Sequence, residues 1–354
     1  MSAASDGAGE ANALPQGKVT LAHGGGGRVM RELIERIVLP AFDNPLLSLL
    51  EDQARIPIAD LALAGDRLAF TTDTYVVSPL EFSGGDIGKL AVCGTVNDLA
   101  MSGARPLHLS CGLVLEEGLD LALLARVVGS MGLAARGAGV TIVTGDTKVV
   151  EHGAADRIFI NTSGVGVIPH GVHIAADRAQ VGDVVILNGS LGDHGVAILL
   201  ARNQLALNAQ VSSDCQPLHG LVAGMLAACA DIHCLRDATR GGVATVLSEF
   251  AHCSGLGIRI SESALPVTDV VRGACEILGL DPLYLANEGK LVAVVPRASA
   301  DAVLAAMKAH PAGHGAVIIG EVVASPRGSV VLSTAFGGNR MVDMLAAEQL
   351  PRIC

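Results

Sequence analysis

The sequence predicts a two-domain α/β protein, and three observations support this class. The chain has 354 residues, and at about 150 residues per domain this length favours two domains. Apolar runs of strand length alternate with longer segments of helical periodicity, which is typical of α/β folds. Half of the residues are hydrophobic but only 2% are aromatic, so the core must consist of Ala, Val, Leu and Ile.

The first half begins after a segment, 1–17, that lacks a basic region and an apolar stretch, which predicts a flexible tail rather than a secretory signal. A strand is predicted at 68–77, a helix over 86–103, a strand at 107–115, a helix over 119–136 and strands near 140–144 and 158–168. Gly137 and Gly139 end the second helix. Pro169, His170 and Gly171 then interrupt the pattern. We therefore predict an N-terminal domain over 18–172.

The second half repeats this style and predicts a C-terminal domain over 173–335. A buried strand is predicted at 183–187, followed by helices over 217–229, 242–253 and 267–278. A strand at 291–295, a helix over 299–310 and strands at 317–322 and 330–332 complete it. Residues 336–354 contain Gly337, Gly338 and Pro351 without a clear period, and they predict an extended tail.

Charge and cysteine content exclude several functional classes. Lys and Arg number 24 against 35 Asp and Glu, a net charge of −11, which would repel a phosphate backbone and argues against nucleic-acid binding. Every apolar run is shorter than the 18 or so residues that a membrane-spanning helix needs. The eight cysteines include no CxxC pair, which favours a reducing cytosol and argues against cysteine-bound zinc. P-loop, GxGxxG, GxSxG and HExxH motifs are absent.

Four aspartates follow strands or begin glycine turns: Asp73, Asp98, Asp146 and Asp237. Mg²⁺ takes oxygen ligands from one or two carboxylates and shares the rest with substrate phosphates, so scattered aspartates can form an ATP–magnesium site. Aspartates in turns also cap helices, which is the alternative interpretation for each one alone. Asp98 differs, because a carboxylate within an apolar helical stretch is costly unless it is paired.

Further candidates surround these aspartates. Glycine runs at 23–28 and 83–86 each precede a helical segment, where backbone N–H groups let an anion approach closely. Lys148 follows Asp146 by two residues, so a strand puts both on one face, as a phosphate contact or as a surface ion pair. Glu288 precedes a buried strand and is either a general base or a turn residue.

Cys354 is the last residue of the chain. A prenylation signal needs its cysteine fourth from the end, so this terminal cysteine is not one. The preceding segment is extended enough to reach a distant site. A thiol on such a tether indicates that it carries a chemical group.

In combination, these motifs resemble a known family. Asn-Asp-Leu-Ala at 97–100, Thr-Gly-Asp-Thr-Lys at 144–148, Gly-Asp-His-Gly at 192–195, Arg-Asp-Ala-Thr-Arg-Gly-Gly at 236–242, Asn-Glu-Gly-Lys at 287–290 and the closing Pro-Arg-Ile-Cys look like the HypE family of hydrogenase maturation factors, the carbamoyl dehydratases. The resemblance covers about 18–354, and the closing tetrapeptide is its specific part. The other motifs are shared with the wider ATP-binding superfamily of aminoimidazole ribonucleotide synthetase, thiamine-monophosphate kinase and selenophosphate synthetase.

The resemblance implies two α/β domains, a homodimer whose N-terminal sheets form a barrel-like interface, a C-terminal α/β sandwich and ATP in a nearby cleft. It implies that the carbamoyltransferase HypF loads a carbamoyl group onto Cys354 and that ATP drives its dehydration to a thiocyanate. Cyanide would then pass to a HypC–HypD complex. The implied Mg²⁺ ligands are Asp73, Asp98, Asp146 and Asp237; Gly84, Gly85 and Gly145 would help to hold ATP, and Cys354, Lys148 and Glu288 would be catalytic.

One departure and two rival interpretations remain. Many family members have an acidic pair before the strand that here contains Asp73, whereas this chain has Ile-Pro-Ile-Ala-Asp at 56–60. At most one acidic residue of that pair is therefore present, as Asp60, or as Asp52 if the loop aligns differently. One rival is a superfamily enzyme that phosphorylates a small soluble amide or alcohol, with an incidental tail. The other is a binding scaffold for hydrogenase precursors that uses the tail as a docking peptide.

Overall fold

The computed structural model of the protein describes residues 15–202 and 210–344. The helices are α1 (Arg28–Leu33), α2 (Leu39–Phe42), α3 (Ile58–Ala62), α4 (Ile87–Met101), α5 (Leu121–Gly137), α6 (Asp193–Ala201), α7 (His219–Ala228), α8 (Gly242–Ser254), α9 (Asp269–Leu278) and α10 (Ala300–Ala309). A π-helical turn, Ile34–Val38, joins α1 to α2. The strands are β1 (Arg67–Tyr75), β2 (Glu81–Phe82), β3 (Gly85–Asp86), β4 (Arg105–Glu116), β5 (Thr141–Val150), β6 (Ile158–Ile168), β7 (Val184–Leu187), β8 (Cys234–Asp237), β9 (Gly257–Ser261), β10 (Leu291–Val295), β11 (Val317–Val323), β12 (Val330–Ser333) and β13 (Asn339–Val342).

The first half is a four-stranded sheet in the order β1-β6-β4-β5, in which β4 and β5 run parallel and the other neighbours antiparallel. Helix α4 begins where the Asp86 carboxylate accepts hydrogen bonds from the N–H groups of Gly88 and Lys89, at 2.7 and 3.1 Å. Almost all of α4 is buried, because it lies between this sheet, α5 and the second half. This burial explains why its residues are apolar on every side.

The second half is a seven-stranded sheet in the order β13-β12-β9-β11-β7-β10-β8. Side chains of β7 point alternately to two separate clusters, since Val185 and Leu187 pack with Phe250 of α8, whereas Val184 and Ile186 pack with Met225 of α7 and with α10. A strand covered on both faces must be apolar at every position. The continuous apolar runs at 184–187 and 291–295 therefore follow from this three-layer arrangement.

The two halves share their packing. Ala100 and Met101 at the end of α4 belong to the apolar cluster that covers one face of the second sheet. In the other direction, α6 and α9 contribute Val196, Ile198 and Val271 to the core of the first half. The junction between the halves is therefore a packed interface, with α4 at its centre.

The α/β class is confirmed, and the strands and helices predicted above are present, most of them with shifts of one to three residues at their ends. The strand predicted near 140–144 continues to Val150, so Asp146 lies within β5 rather than after it. Helices α2, α3 and α6 and strands β2, β3, β8 and β9 were not predicted. The predicted tail at 336–354 begins differently, because β13 pairs antiparallel with β12 at the edge of the sheet. Tyr284 also donates a hydrogen bond from its hydroxyl to the Asp343 carbonyl at 2.9 Å. Within the described residues, no helix combines the length and apolar character that crossing a membrane requires.

Candidate active site

A cavity of about 260 Å³ lies at the junction of the two halves. Its wall contains three of the four predicted aspartates together with the predicted base: Asp73 from β1, Asp98 from α4, Asp237 from β8 and Glu288 from the turn before β10. Arg236, Thr239 and Arg240 line its second-half side. Residues that are far apart in the sequence thus form one acidic pocket with basic residues at one side.

Burial and, after it, neighbouring carboxylates raise the pKa values of Asp98 and Asp237. Burial raises the pKa of Asp98, with a further contribution from Asp73, while a hydrogen bond donated by Thr71 Oγ1 at 3.0 Å opposes the rise. Burial, followed by the charge of Asp98, raises the pKa of Asp237 to about 7. The sequence predicted that Asp98 needs a partner, and Thr71 is that partner. The positive charge of Arg236 offsets only part of the repulsion between Asp98 and Asp237.

Such a donor set fits a divalent cation. Hard cations bind carboxylate oxygens, and their positive charge relieves the repulsion that raises these pKa values. Within residues 15–202 and 210–344, no three His, Cys, Asp or Glu side chains converge into a complete metal site. Mg²⁺ that also takes phosphate oxygens needs only one or two carboxylates, so the residues present fit Mg²⁺ together with a nucleotide.

The turn that carries Glu288 is held from both halves. The amide nitrogen of Asn97, on α4, donates to the carbonyls of Gln216 and Glu288 at 3.1 and 3.3 Å, and its oxygen accepts from the Leu218 N–H at 2.7 Å. Asp214 accepts from the backbone N–H groups of Glu288 and Gly289 at 3.1 and 3.2 Å. These bonds fix the backbone of Glu288 relative to the pocket.

A buried ion pair completes this support. The Lys290 ammonium lies 2.8 Å from Asp214 Oδ2, and both side chains are less than a tenth exposed. Gly289 allows the close approach, since a Cβ there would lie 2.0 Å from the Asp214 carbonyl oxygen. Glu288 itself is 7% exposed, and burial, followed by the charge of Asp214, raises the pKa of its carboxyl well above its usual range.

Asp146, Gly145 and Lys148 lie elsewhere in the single chain. Asp146 and Gly145 line a second cavity of about 200 Å³ between α1, the following helical segment and β5. Lys148 Nζ lies 3.0 Å from Asp146 Oδ2, and both side chains are about two-thirds exposed. Because β5 and β1 are the opposite edges of the four-stranded sheet, one copy of the chain does not bring Asp146 to Asp73.

The glycines at 84 and 85 also lie outside the acidic pocket. A Cβ at Gly84 would lie 2.7 Å from backbone atoms of Ser213, and the helix that follows is already capped by Asp86. Their role in nucleotide binding stays a prediction. Asp52 and Asp60, the candidates for the missing acidic pair, are exposed and do not line the pocket. Cys354 lies outside the described residues.

Sequence reasoning missed Asp214, Lys290 and His194 as functional candidates. His194 and Lys290 were visible inside the quoted motifs Gly-Asp-His-Gly and Asn-Glu-Gly-Lys, but only the contacts give them roles. Asp214 stands in no motif. No periodic signal in the sequence links it to the turn at 287–290, which lies more than seventy positions away.

Comparisons with known proteins define the class first. Residues 51–168 match the family model "AIR synthase related protein, N-terminal domain", and residues 180–333 match "AIR synthase related protein, C-terminal domain". The two halves, with an acidic pocket between them, are therefore those of an AIR synthase related protein.

The particular family follows from more similar proteins. "Carbamoyl dehydratase HypE" of Rhodobacter capsulatus is 59% identical over 342 residues, which is 97% of this chain and 100% of the relative. A crystal structure of the hydrogenase maturation protein HypE in complex with ATP matches with a TM-score of 0.89 and 50% identity over 94% of this chain and 99% of that one. A chain in a crystal structure of a HypE–HypF complex matches with a TM-score of 0.77 and 46% identity, over 90% of this chain and 100% of that one. The chain belongs to the HypE carbamoyl dehydratase family.

Proposed function

We propose that the protein uses ATP to dehydrate an S-carbamoyl group on Cys354 to a thiocyanate, which supplies the cyanide ligand for [NiFe]-hydrogenase maturation. The observation that carries this proposal is the buried Glu288 facing three aspartates in one cavity. A base beside a nucleotide–metal site is what this dehydration requires. The names of the relatives, carbamoyl dehydratases, give the same reaction class.

One or two of the carboxylates of Asp73, Asp98 and Asp237 would hold Mg²⁺ and, through it, the phosphates of ATP. When bound, Mg²⁺ supplies positive charge that neutralises a transferring phosphoryl group. Arg236, Thr239 and Arg240 stand at the same cavity and are suited to phosphate oxygens. The ATP-bound structure of a HypE relative supports the choice of nucleotide.

Glu288 would act as the base. An amide oxygen is a poor leaving group, whereas its phosphorylation gives an O-phosphate that leaves readily. The nitrogen loses one of its two protons to water when the oxygen is phosphorylated, which gives an O-phosphoryl imidate. It loses the second proton when inorganic phosphate departs and the C≡N bond forms, and the carboxylate of Glu288 accepts this second proton. A buried carboxyl with a raised pKa is a stronger base when it is charged than an exposed one.

We propose that a second copy of the chain brings Lys148, Asp146 and Gly145 to this chemistry. The face of the first sheet opposite α4 is not covered by a helix of the described residues, and it exposes Leu68 and Phe70 by 60% and 72%. Across the sheet, Thr74, Asn161, Gly112 and Asp146 lie in register on this face. Packing of two such faces into a barrel would pair the β5 edge of one copy with the β1 edge of the other. Lys148 of the partner subunit would then stabilise the phosphate or the developing imidate.

The tail would move Cys354 between this pocket and its partners. We propose HypF as the enzyme that loads the carbamoyl group, supported by the HypE–HypF complex of relatives. A HypC–HypD complex would accept the cyanide, and the cytoplasm would be the compartment. An inward position of the tail serves dehydration, and an outward position serves loading and delivery.

The test is intact-protein mass spectrometry after incubation with HypF, carbamoyl phosphate and ATP. We expect a carbamoyl adduct on this protein. After the loaded protein is separated from HypF, the adduct should become a cyano adduct, lighter by one water, only when ATP is added. Cys354→Ala should abolish both adducts and retain ATP binding. Cys253→Ala, which removes the exposed thiol of Cys253, is the matched control and should behave as wild type.

Other outcomes would identify the rivals. A fully active Cys354→Ala enzyme that turns over ATP on a free amide or alcohol would indicate a small-molecule kinase. Assembly with hydrogenase precursors without ATP consumption would indicate a scaffold. Loss of ATP binding in Cys354→Ala would make the tail part of the nucleotide site and contradict the proposal.

A further inference from the structure

The imidazole of His194 lies next to the Glu288 carboxyl, and one of its ring nitrogens makes no hydrogen bond to a described residue. His194 is fully buried, and its Nε2 has no hydrogen-bond partner among the described residues. The nearest carboxylate oxygen, Oε1 of Glu288, lies 4.0 Å from this nitrogen. Buried ring nitrogens are normally hydrogen-bonded, and a small rotation of the flexible glutamate side chain would close this gap.

The other ring nitrogen is held by Ser213. His194 Nδ1 lies 2.9 Å from Ser213 Oγ, and this oxygen already accepts a hydrogen bond from the Cys215 N–H at 3.1 Å. The hydroxyl proton of Ser213 is therefore available for Nδ1. A histidine whose Nδ1 accepts a hydrogen bond carries its proton on Nε2, which is the nitrogen aimed at Glu288.

Both halves of the molecule fix the ring in place. The Ser213 N–H donates to the Ser83 carbonyl at 2.8 Å, and the Phe82 ring meets His194 edge to face with centroids 5.6 Å apart. On the other side, Asn287 Oδ1 accepts from the N–H of Gly192, two residues before His194, at 2.8 Å. The ring thus has a single orientation relative to the turn that carries Glu288.

The charges around Glu288 make such a donor necessary. The titratable groups that face it are Asp214 and Cys215 from the 210–217 segment, Asp237 from β8, Asp73 and Tyr75 from β1, and Cys93 from α4. Lys290, the cation of the same turn, is bound to Asp214. Burial lowers the pKa of His194 to about 4, so the ring is neutral near pH 7 and offers an N–H without adding charge.

We propose that His194, as the neutral Nε2–H tautomer, donates a hydrogen bond to the Glu288 carboxylate and is the positioning residue that keeps this base charged at working pH. The inference rests on the proposed function of Glu288 as the base. Hydrogen bonds to the charged form of a carboxyl lower its pKa. His194 therefore offsets part of the rise that burial and the surrounding aspartates impose.

The first experiment measures the pH profile of ATP-dependent thiocyanate formation. His194→Phe should shift the acidic limb upward by about one to two pH units, the effect of one hydrogen bond to a charged group. His194→Gln, whose side-chain amide can reach the same position as Nε2–H, should restore most of the profile. His233→Gln is the matched control, because His233 is also buried but bonds to Asp183 away from the pocket; its acidic limb should not move. An unshifted limb in a folded His194→Phe enzyme would overturn the proposal.

The second experiment does not depend on activity. In full-length protein with ¹⁵N-labelled histidine, the His194 resonances, identified by their loss in His194→Gln, should show a protonated Nε2 and an unprotonated Nδ1. Glu288→Gln should shift the Nε2 signal. A protonated Nδ1, or a signal insensitive to Glu288→Gln, would refute the hydrogen bond. Absence of thiocyanate from the wild type with the expected ¹⁵N pattern would instead refute the proposed function and leave the pair intact.

Discussion

Replacing Asp237 by asparagine should make the ligand-free protein more stable at pH 8 while abolishing the magnesium-dependent activity proposed above. Burial and Asp98 raise the Asp237 pKa from 3.8 to about 7. The folded state therefore binds more protons than the unfolded state between these two values, and the free energy of unfolding falls as pH rises through that window. The asparagine side chain of the variant would have no such penalty, because it does not ionise.

The magnitude follows from the size of the shift. One pKa unit corresponds to ~1.4 kcal/mol, so ionisation of Asp237 destabilises the folded state by at most about 4 kcal/mol. Part of this destabilisation is already present at pH 5, because Asp237 is ionised there in the unfolded state but not in the folded state. Relaxation of the protein around the charge reduces the remainder. We expect the stability advantage of Asp237→Asn over wild type to grow by about 1–3 kcal/mol between pH 5 and pH 8.

Urea unfolding in the presence of a chelator, at pH 5, 6, 7 and 8, measures this advantage. Asp156→Asn removes an exposed carboxylate and serves as the control, for which the difference from wild type should be independent of pH. Addition of Mg²⁺ and ATP should stabilise the wild type but not Asp237→Asn. An advantage that does not change with pH, or a variant that Mg²⁺–ATP stabilises as much as wild type, would refute the reasoning.

Three further predictions concern the scaffold, each measured by chemical denaturation. Asp86→Ala removes the cap of α4 and should lower the free energy of unfolding by about 1–2 kcal/mol; an unchanged midpoint would contradict this role. Lys290→Met leaves Asp214 buried without a cation and should cost about 3–5 kcal/mol, and adding Asp214→Asn should recover part of that loss rather than deepen it. Leu124→Ala empties a fully buried core position and should cost about 2–5 kcal/mol, whereas equal stability would mean that α5 is not part of the cooperative core.

Local patterns predicted most of the fold because they have local causes. The strand Leu291–Val295 was predicted at its observed bounds, since a strand buried on both faces must be continuously apolar. Helix α6 was missed because it has only nine residues, six of them buried, which is too short for a helical period to stand out in the sequence. Strand β13 was assigned to a tail because three of its four residues are exposed, and only pairing with β12 makes it a strand.

The acidic pocket could be predicted in part for a similar reason. Asp73, Asp98 and Asp237 each stand out locally, as carboxylates at strand ends or within an apolar helix. Asp214 and Ser213 do not stand out locally. Asp214 contacts the turn at Glu288, more than seventy positions away, and Ser213 contacts His194 in helix α6, nearly twenty positions away. For Asp146 and Lys148 the reverse holds: the sequence indicated them as site residues, but in a single chain they lie on β5, at the edge of the sheet opposite the β1 edge that carries Asp73.

The hydrogen bond from Tyr284 to Asp343 gives the molecule an intrinsic optical reporter. The chain contains two tyrosines and no tryptophan. Tyr75 lines the acidic pocket, while Tyr284 is bonded to the segment that leads to the terminal cysteine. Near-ultraviolet absorption and fluorescence therefore arise mainly from one chromophore in the acidic pocket and one that is hydrogen-bonded to Asp343. Replacing either tyrosine by phenylalanine leaves a single emitter, so changes in the pocket and changes around Asp343 can be followed separately without any attached dye.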